Sequence, residues 1–217
     1  VPAIPYLAHN VANIIKSIFG KNKKGLVLDL DNTLWGGVIG DDGVDNIVLG
    51  PEESEGQAYT EFQRFIKNHK QLGIVLNVDS KNDEENALAG LQHPDSELAP
   101  DDFACIKANW EPKDRNLAEI ASELNLLPES LVFIDDNPAE RHIVAEQLPG
   151  VATPEIGEIY QYPGVIDRSG FFEVTSLSAD DLKRNEMYQE NAKRAKLQAS
   201  FDNYEEYLLS LEMKAVI

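Results

Sequence analysis

The sequence predicts a doubly wound parallel α/β sheet followed by a helical C-terminal extension. Apolar runs at residues 26–28, 74–78, 103–106 and 131–134 alternate with helical segments of about ten residues, the pattern of parallel strands covered on both faces. The runs are of the kind found in strands buried on both sides. Acidic or hydroxyl residues follow the runs directly: Asp29 and Asp31, Ser80, and the pair Asp135 and Asp136. Ligands of such sheets sit beyond the carboxyl ends of the strands.

Val11, Ile14, Ile15, Ile18 and Phe19 recur at helical spacing up to Gly20, which predicts an opening amphipathic helix packed on the core through residues 1–24. Lys21, Lys23 and Lys24 lead into the first strand, and 31–50 reads as a loop punctuated by Gly36, Gly37, Gly40, Gly43 and Gly50. Tyr59, Phe62, Phe65, Ile66 and His69 mark a second helix closed by Gly73. Short helices are expected over 83–91 and 114–124. One over 138–147 opens on Pro138 and leads to a brief strand near Val151. The catalytic core is expected to span 25–170 and the helical extension 171–217 of the same domain. In the extension, Ser178 with Asp181 resembles a capping box before a charged helix reaching about residue 198. Tyr204, Tyr207, Leu208 and Leu211 suggest another short helix, and 213–217 an edge strand. The chain opens on Val1, and we expect it to be a piece of a longer protein.

Nineteen basic against 38 acidic residues give a formal charge of −19, which repels a phosphate backbone or an anionic membrane, so neither nucleic acid nor membrane is an expected partner. The same field opposes a phosphorylated substrate unless a bound cation and local basic groups offset it. A single cysteine, Cys105, rules out an internal disulfide and fits a reducing, cytoplasmic setting.

Asp29 and Asp31 alternate at a strand end and so point to one side. Their mutual repulsion calls for a cation or a proton between them. Magnesium suits this, since it takes an oxygen shell of one or two carboxylates, waters and a substrate phosphate. One aspartate can attack a phosphoryl group while the other protonates the leaving oxygen and later activates water. The bland alternative is a solvated turn rich in Asp and Asn. Ser80, with Lys81 and Asn82 beside it, suits a phosphate oxygen at a helix start or else a simple cap. Lys113 can balance charge on an aspartyl phosphate or stand free on the surface. The Asp135-Asp136 pair ending a hydrophobic strand is placed for a cation, because a cap for the next helix needs only Asn137.

The ordered set Asp29-x-Asp31-x-Thr33, Ser80, Lys113 and Asp135-Asp136 resembles the four motifs of the haloacid dehalogenase superfamily of phosphohydrolases and phosphotransferases. More narrowly, DLDNTLWGGVIGDDG, DSKNDEENA, DDFACIKANWEPKDRNL and LVFIDDNPAER resemble its FkbH-like branch, with similarity from about Val11 to the end. The resemblance implies a Rossmann-like core and a magnesium ion held by Asp29, Asp31 (through its backbone carbonyl) and the Asp135-Asp136 pair, with Asp136 the favoured ligand. It implies Asp29 as nucleophile, Asp31 as acid/base, and Thr33, Ser80, Lys81, Asn82 and Lys113 on the phosphate. The insertion points between Thr33 and Ser80, and between Ser80 and Lys113, are too short for a large cap domain.

The expected activity is phosphatase or phosphotransferase action on a phosphorylated metabolite or a carrier-bound substrate. A first alternative is a glyceryltransferase that passes a glyceryl unit from an acyl phosphate to an acyl carrier protein, and a second is a non-catalytic scaffold. Many members of the branch carry cysteine immediately before the motif-two serine, where this chain has Asp79.

Overall fold

A computed structural model describes residues 3–176, 183, 186–191 and 194. Helix α1 (Ile4–Ile18) is followed by β1 (Gly25–Leu28), the short α2 (Ile39–Asp42), α3 (Ser54–Gln71), β2 (Val75–Ser80) and α4 (Glu84–Leu91). Then come β3 (Cys105–Ala108), α5 (Lys113–Glu123), β4 (Leu131–Ile134), α6 (Pro138–Gln147) and α7 (Tyr162–Arg168). The four strands are parallel in the order β3-β2-β1-β4. The chain winds outward from β1 to β3, then crosses back to β4 on the other side of β1. That reversal opens a crevice at the carboxyl ends of β1 and β4, where a doubly wound sheet binds its ligands.

Alternation along each strand divides the core in two. Leu26, Leu28, Leu76, Val78, Val132 and Ile134 meet Phe62 and Ile66 of α3, Leu91 of α4 and Ile166 of α7 on one face. Val27, Val75, Cys105, Leu131 and Phe133 meet Leu117 and Ile120 of α5 and Val144 of α6 on the other. Burial of each such side chain contributes roughly 1.5–3 kcal/mol. The expected α/β sheet is therefore present, with both faces covered. Near Val151 the expected strand is reduced to a single parallel bridge between Val132 and Ala152.

The third strand lies two residues later than the expected 103–106 run, and three further elements differ from expectation. The glycine loop holds α2 and a single 3-10 turn at Val44–Asn46. Helix α7 escapes periodicity because it is only seven residues long and contains Pro163 and Gly164. Helix α1 forms, but it does not pack on the core through its apolar stripe. Ile4, Leu7, Val11, Ile14, Ile15 and Ile18 are 42–66% exposed. Its polar edge makes the contact instead, with a ring nitrogen of His9 on the Arg168 carbonyl (3.0 Å) and Ser17 donating to the Glu173 carbonyl (3.0 Å). Periodicity reveals that a stripe exists and not what covers it.

The expected capping box at Ser178, the charged helix to about residue 198, the helix around Tyr207 and the edge strand at 213–217 lie mostly or wholly outside the described residues. Within the described part of the extension, Tyr188 packs against the α5 side of the core and Gln189 donates to the Asp101 carbonyl (2.7 Å). Among the described residues no helix is long and apolar enough to cross a membrane.

Candidate active site

Asp29 directly follows β1, and its N–H still pairs with the Ile134 carbonyl (2.9 Å), so the carboxylate leaves the sheet from a fixed stem. Further along the turn, Asn32 adopts φ 54°, a left-handed conformation that asparagine tolerates better than most. Its carbonyl accepts from the hydroxyls of Tyr59 (3.4 Å) and Tyr162 (3.3 Å), and its Oδ1 accepts from the N–H of Gly37 (2.9 Å). These bonds outweigh a conformational cost of about 1–3 kcal/mol. The turn leaves Asp29, Asp31 and Asn32 all lining one cavity.

Asp31 is held at both oxygens. Its Oδ1 accepts from the Trp35 indole N–H (2.9 Å) and the Ile39 N–H (3.1 Å), and its Oδ2 from the amide of Asn82 (3.0 Å). Burial raises its pKa, and the charge of Asp29 adds to the rise, while these donors and Lys113 oppose it. The outcome is a rigidly aimed carboxyl that keeps a proton more readily than a free aspartate.

Lys113 opens α5 and is almost fully buried, with its ammonium 2.9 Å from Asp29 Oδ1 and 2.5 Å from Asp135 Oδ2. Burial alone would lower its pKa, but Asp29 and Asp135 reverse this and hold it charged. Asp135 is fully buried and its other oxygen accepts the N–H of Asn137 (2.8 Å), so both of its oxygens are engaged. Burial, then the charge of Asp29, pushes the Asp135 and Asp136 carboxyls up. Arg141 donates to the carbonyls of Asp135 (2.6 Å) and Asp136 (2.8 Å), which fixes the turn after β4.

Asp29, Asp135 and Asp136 offer oxygens within 4.8 Å of one another. Three acids against one ammonium leave net negative charge, and an all-oxygen set suits a hard divalent cation. The Asp31 side chain lies outside that group. Asp135 is engaged by Lys113 and Asn137, and Asp136 is the more exposed member of the pair.

The expected phosphate-binding residues divide. Ser80 ends β2 and lines the cavity with Lys113. Lys81 also lines it, but its ammonium is clasped to Glu140 across the mouth (2.5 Å). The Asn82 side chain is engaged in this structure by Asp31 (3.0 Å) and by the N–H of Asp83 (3.0 Å). Thr33 is fully buried and accepts the N–H of Asp136 (3.3 Å), bracing the wall of the cavity from behind. Sequence reasoning missed Trp35, Asn116, Glu140 and Arg141. Only Trp35 carried a visible signal, as a tryptophan in a glycine-rich loop four residues from an aspartate.

Asp79, which precedes Ser80, is fully buried and points to the α5 side of the sheet. Burial drives its pKa up to about 8, against the opposing effects of Asn116 and Lys113. Between the ordinary value of 3.8 and about 8 the folded chain holds one proton more than the unfolded chain at this group. Its contribution to stability is thus complete at acid pH and is lost as pH rises through that window, with a slope of up to about 1.4 kcal/mol per pH unit. Urea denaturation from pH 5 to 8 is expected to show this decline in the parent and a flatter profile in Asp79→Asn. Identical slopes would show that Asp79 ionises normally.

The cavity measures about 440 Å³. A larger hollow of about 630 Å³ beside α3 is lined by surface pairs such as Arg64 with Glu97 (2.8 Å), and its acids Glu61, Asp95 and Glu97 do not converge into a group that could hold a metal. Chemistry rather than volume therefore singles out the crevice.

No family model and no curated protein matches the chain. Among solved structures, it is similar to the N-terminal part of the protein BF1531 from Bacteroides fragilis, described as containing a phosphatase domain and complexed with Mg. The two share 44% identity and a TM-score of 0.78 over 81% of this chain. The parallel α/β fold is thus shared with a solved structure that contains a phosphatase domain. The match spans 47% of the length of that structure, so about half of the relative has no counterpart here.

Proposed function

We propose that this chain is a magnesium-dependent phosphatase of the haloacid dehalogenase type, in its FkbH-like branch, acting through an aspartyl phosphate on Asp29. The observation that carries the reading is the buried constellation of Lys113 between Asp29 and Asp135, with Asp136 beside them and Asp31 aimed into the same cavity. The similarity to a magnesium-complexed phosphatase domain supports it.

Asp29, Asp136 and the carbonyl of Asp31 would hold the ion, which supplies positive charge to the phosphoryl oxygens and relieves repulsion among the acids. Ser80 and Lys113 hold the phosphoryl group in line with Asp29. A carboxylate oxygen of Asp29 bonds to phosphorus as the bond to the leaving oxygen breaks, and Asp31 gives that oxygen its proton. Asp31, now ionised, takes a proton from water as the water oxygen attacks phosphorus. The Asp29–phosphorus bond breaks, phosphate leaves, and Asp31 is again protonated.

The segments where a lid would be inserted hold only α2, one 3-10 turn and α3 before β2, and α4 with one 3-10 turn before β3. An uncovered mouth suits a phosphate carried on a large or carrier-bound substrate. The test is hydrolysis of a panel of phosphorylated metabolites with magnesium and after chelation. Turnover is expected to vanish on chelation and return with added magnesium. Undiminished turnover in chelator would sink the proposal.

A thioester held on this chain has little support. Cys105 is 2% exposed at the start of β3, with its Sγ donating to Glu123 (3.3 Å), and three residues of strand separate it from the Ala108–Ser80 pair at the cavity end. That is roughly 10 Å of strand. Cys105→Ser is expected to retain activity within a few-fold, a barrier change below about 1 kcal/mol. Intact-mass spectrometry after incubation with an acyl phosphate is expected to show no thiol-labile adduct. An adduct on Cys105 would instead favour acyl transfer.

A further inference from the structure

Asp79 has no role in the reaction above, yet it lies beneath the site in a costly setting. One oxygen accepts from the Asn116 amide (2.9 Å), while Oδ2 is buried without a hydrogen-bond partner among the described residues. Asn116 is in the first turn of α5, three residues after Lys113. It also exchanges hydrogen bonds with Asn109, donating to its Oδ1 (2.9 Å) and accepting from its amide (3.3 Å). Asn109 Oδ1 further accepts the N–H of Glu111 (3.0 Å), and the Asn109 N–H donates to the Ser80 carbonyl (3.1 Å). The end of β2, the loop before α5 and the first turn of α5 are thereby tied through Asn109 and Asn116, and the Asp79 carboxyl adds its own bond from β2 to Asn116. Lys113 has its place between Asp29 and Asp135 because that turn is fixed.

We propose that Asp79 is a positioning residue for Lys113, acting through Asn116, and that it must be uncharged to do so. This rests on the phosphatase reading for its kinetic consequence but not for its structural one. Among the described residues, the charged groups around Asp79 leave no free counterion for an ionised form. Lys113 on α5 already serves Asp29 at the end of β1 and Asp135 at the end of β4. Lys107, its register partner on β3, turns to Glu119 (2.9 Å) and Glu123 (2.6 Å). A buried carboxylate with one hydrogen bond and two like charges nearby is unfavourable. Once formed, it competes with Asp29 and Asp135 for the one ammonium.

The consequence is an alkaline limb in turnover that belongs to Asp79. Lys113 cannot be its source, since its own pKa is raised. With magnesium and p-nitrophenyl phosphate as probe, kcat of the parent is expected to fall above a pH of about 8. Asp79→Ala is expected to lose about tenfold or more in kcat with KM within about threefold, and Asn116→Ala to behave alike. Asp79→Asn, the neutral isostere, is expected to recover most of that loss and to lack the alkaline fall.

Two measurements need no turnover. Carboxyl-carbon NMR should show Asp79 titrating near 8, and the Lys113 ammonium nitrogen should shift in step with it in the parent and not in Asp79→Asn. Circular dichroism separates loss of fold from loss of position. An alkaline profile in Asp79→Asn that is unchanged from the parent through a pH of about 8, or a carboxyl titrating near 3.8, would overturn the proposal, whereas ionisation of Asp31 acts alike in both proteins. A parent that hydrolyses nothing refutes the phosphatase reading alone, because the NMR titration still decides the role of Asp79.

Discussion

Replacing Asp29 by asparagine is expected to lower turnover by at least about a thousandfold, some 4 kcal/mol of barrier, because an amide cannot form the acyl phosphate. The fold should survive. The amide side chain would fill the same volume at the end of β1, and the backbone N–H at this position would keep its bond to Ile134. Lys113 loses one ion-pair partner and retains Asp135. One negative charge also leaves a crowded cluster, so the two electrostatic changes oppose each other. Beryllium trifluoride, a mimic of the phosphoryl group, should be retained by the parent and not by the variant, as read by fluorine NMR. Parent-like rates in Asp29→Asn, on any substrate the parent accepts, would end the nucleophile assignment.

Replacing Lys113 by methionine strikes both stability and catalysis. It leaves Asp135, fully buried, and Asp29, 7% exposed, without their ammonium. Breaking a buried pair in this way costs about 3–5 kcal/mol. Turnover should fall about a hundredfold to a thousandfold, since a preorganised cation aimed at developing charge is lost. The pH dependence has a definite sign. The Asp135 pKa is already raised by burial and by Asp29, and removing Lys113 raises it further. The folded variant then binds more protons than the unfolded chain between the ordinary carboxylate value and the raised one, so its stability is regained as pH falls through that window. Urea denaturation at pH 7 and at pH 5 should show a large deficit at the first and a smaller one at the second. Added magnesium should recover part of the deficit at pH 7 by binding the folded state. Equal stability of parent and variant at pH 7 would show that Lys113 is not the counterion.

Strands β1, β2 and β4 were legible because buried strands are written as apolar runs, and the run at 131–134 coincides with β4, whereas half-buried β3 carries Lys107 and lies two residues past its expected run. The positions of Asp29, Ser80 and Asp135 were legible for the same reason, since each lies at or just past the end of a strand. What adjacent residues do with their side chains was not legible. Asn82 turns to Asp31 and Lys81 to Glu140, partners 51 and 59 positions away in the chain, and spacing along a loop carries no trace of such contacts. The outward apolar stripe of α1 was unreadable on similar grounds: helical periodicity is the same whether a core or solvent lies opposite. Asp79 was legible as the residue standing where many members of the resembled branch carry cysteine, but its buried setting was not, because that comes from Asn116 of α5, brought beneath β2 by the fold.

Helix α4 carries a glycine whose importance does not show in any list of site residues. At Gly90 a methyl group would come within 2.6 Å of the Trp35 ring, in a fully buried setting that has no slack. Trp35 in turn holds Asp31 through its indole N–H. A survey of random variants scored by activity will therefore register substitutions at Gly90 as damaging, although that residue never meets a substrate. The defect would be a misdirected proton rather than a collapsed fold. Sensitivity to mutation in this protein should run inward along the line from Gly90 through Trp35 to Asp31, instead of fading evenly with distance from the crevice.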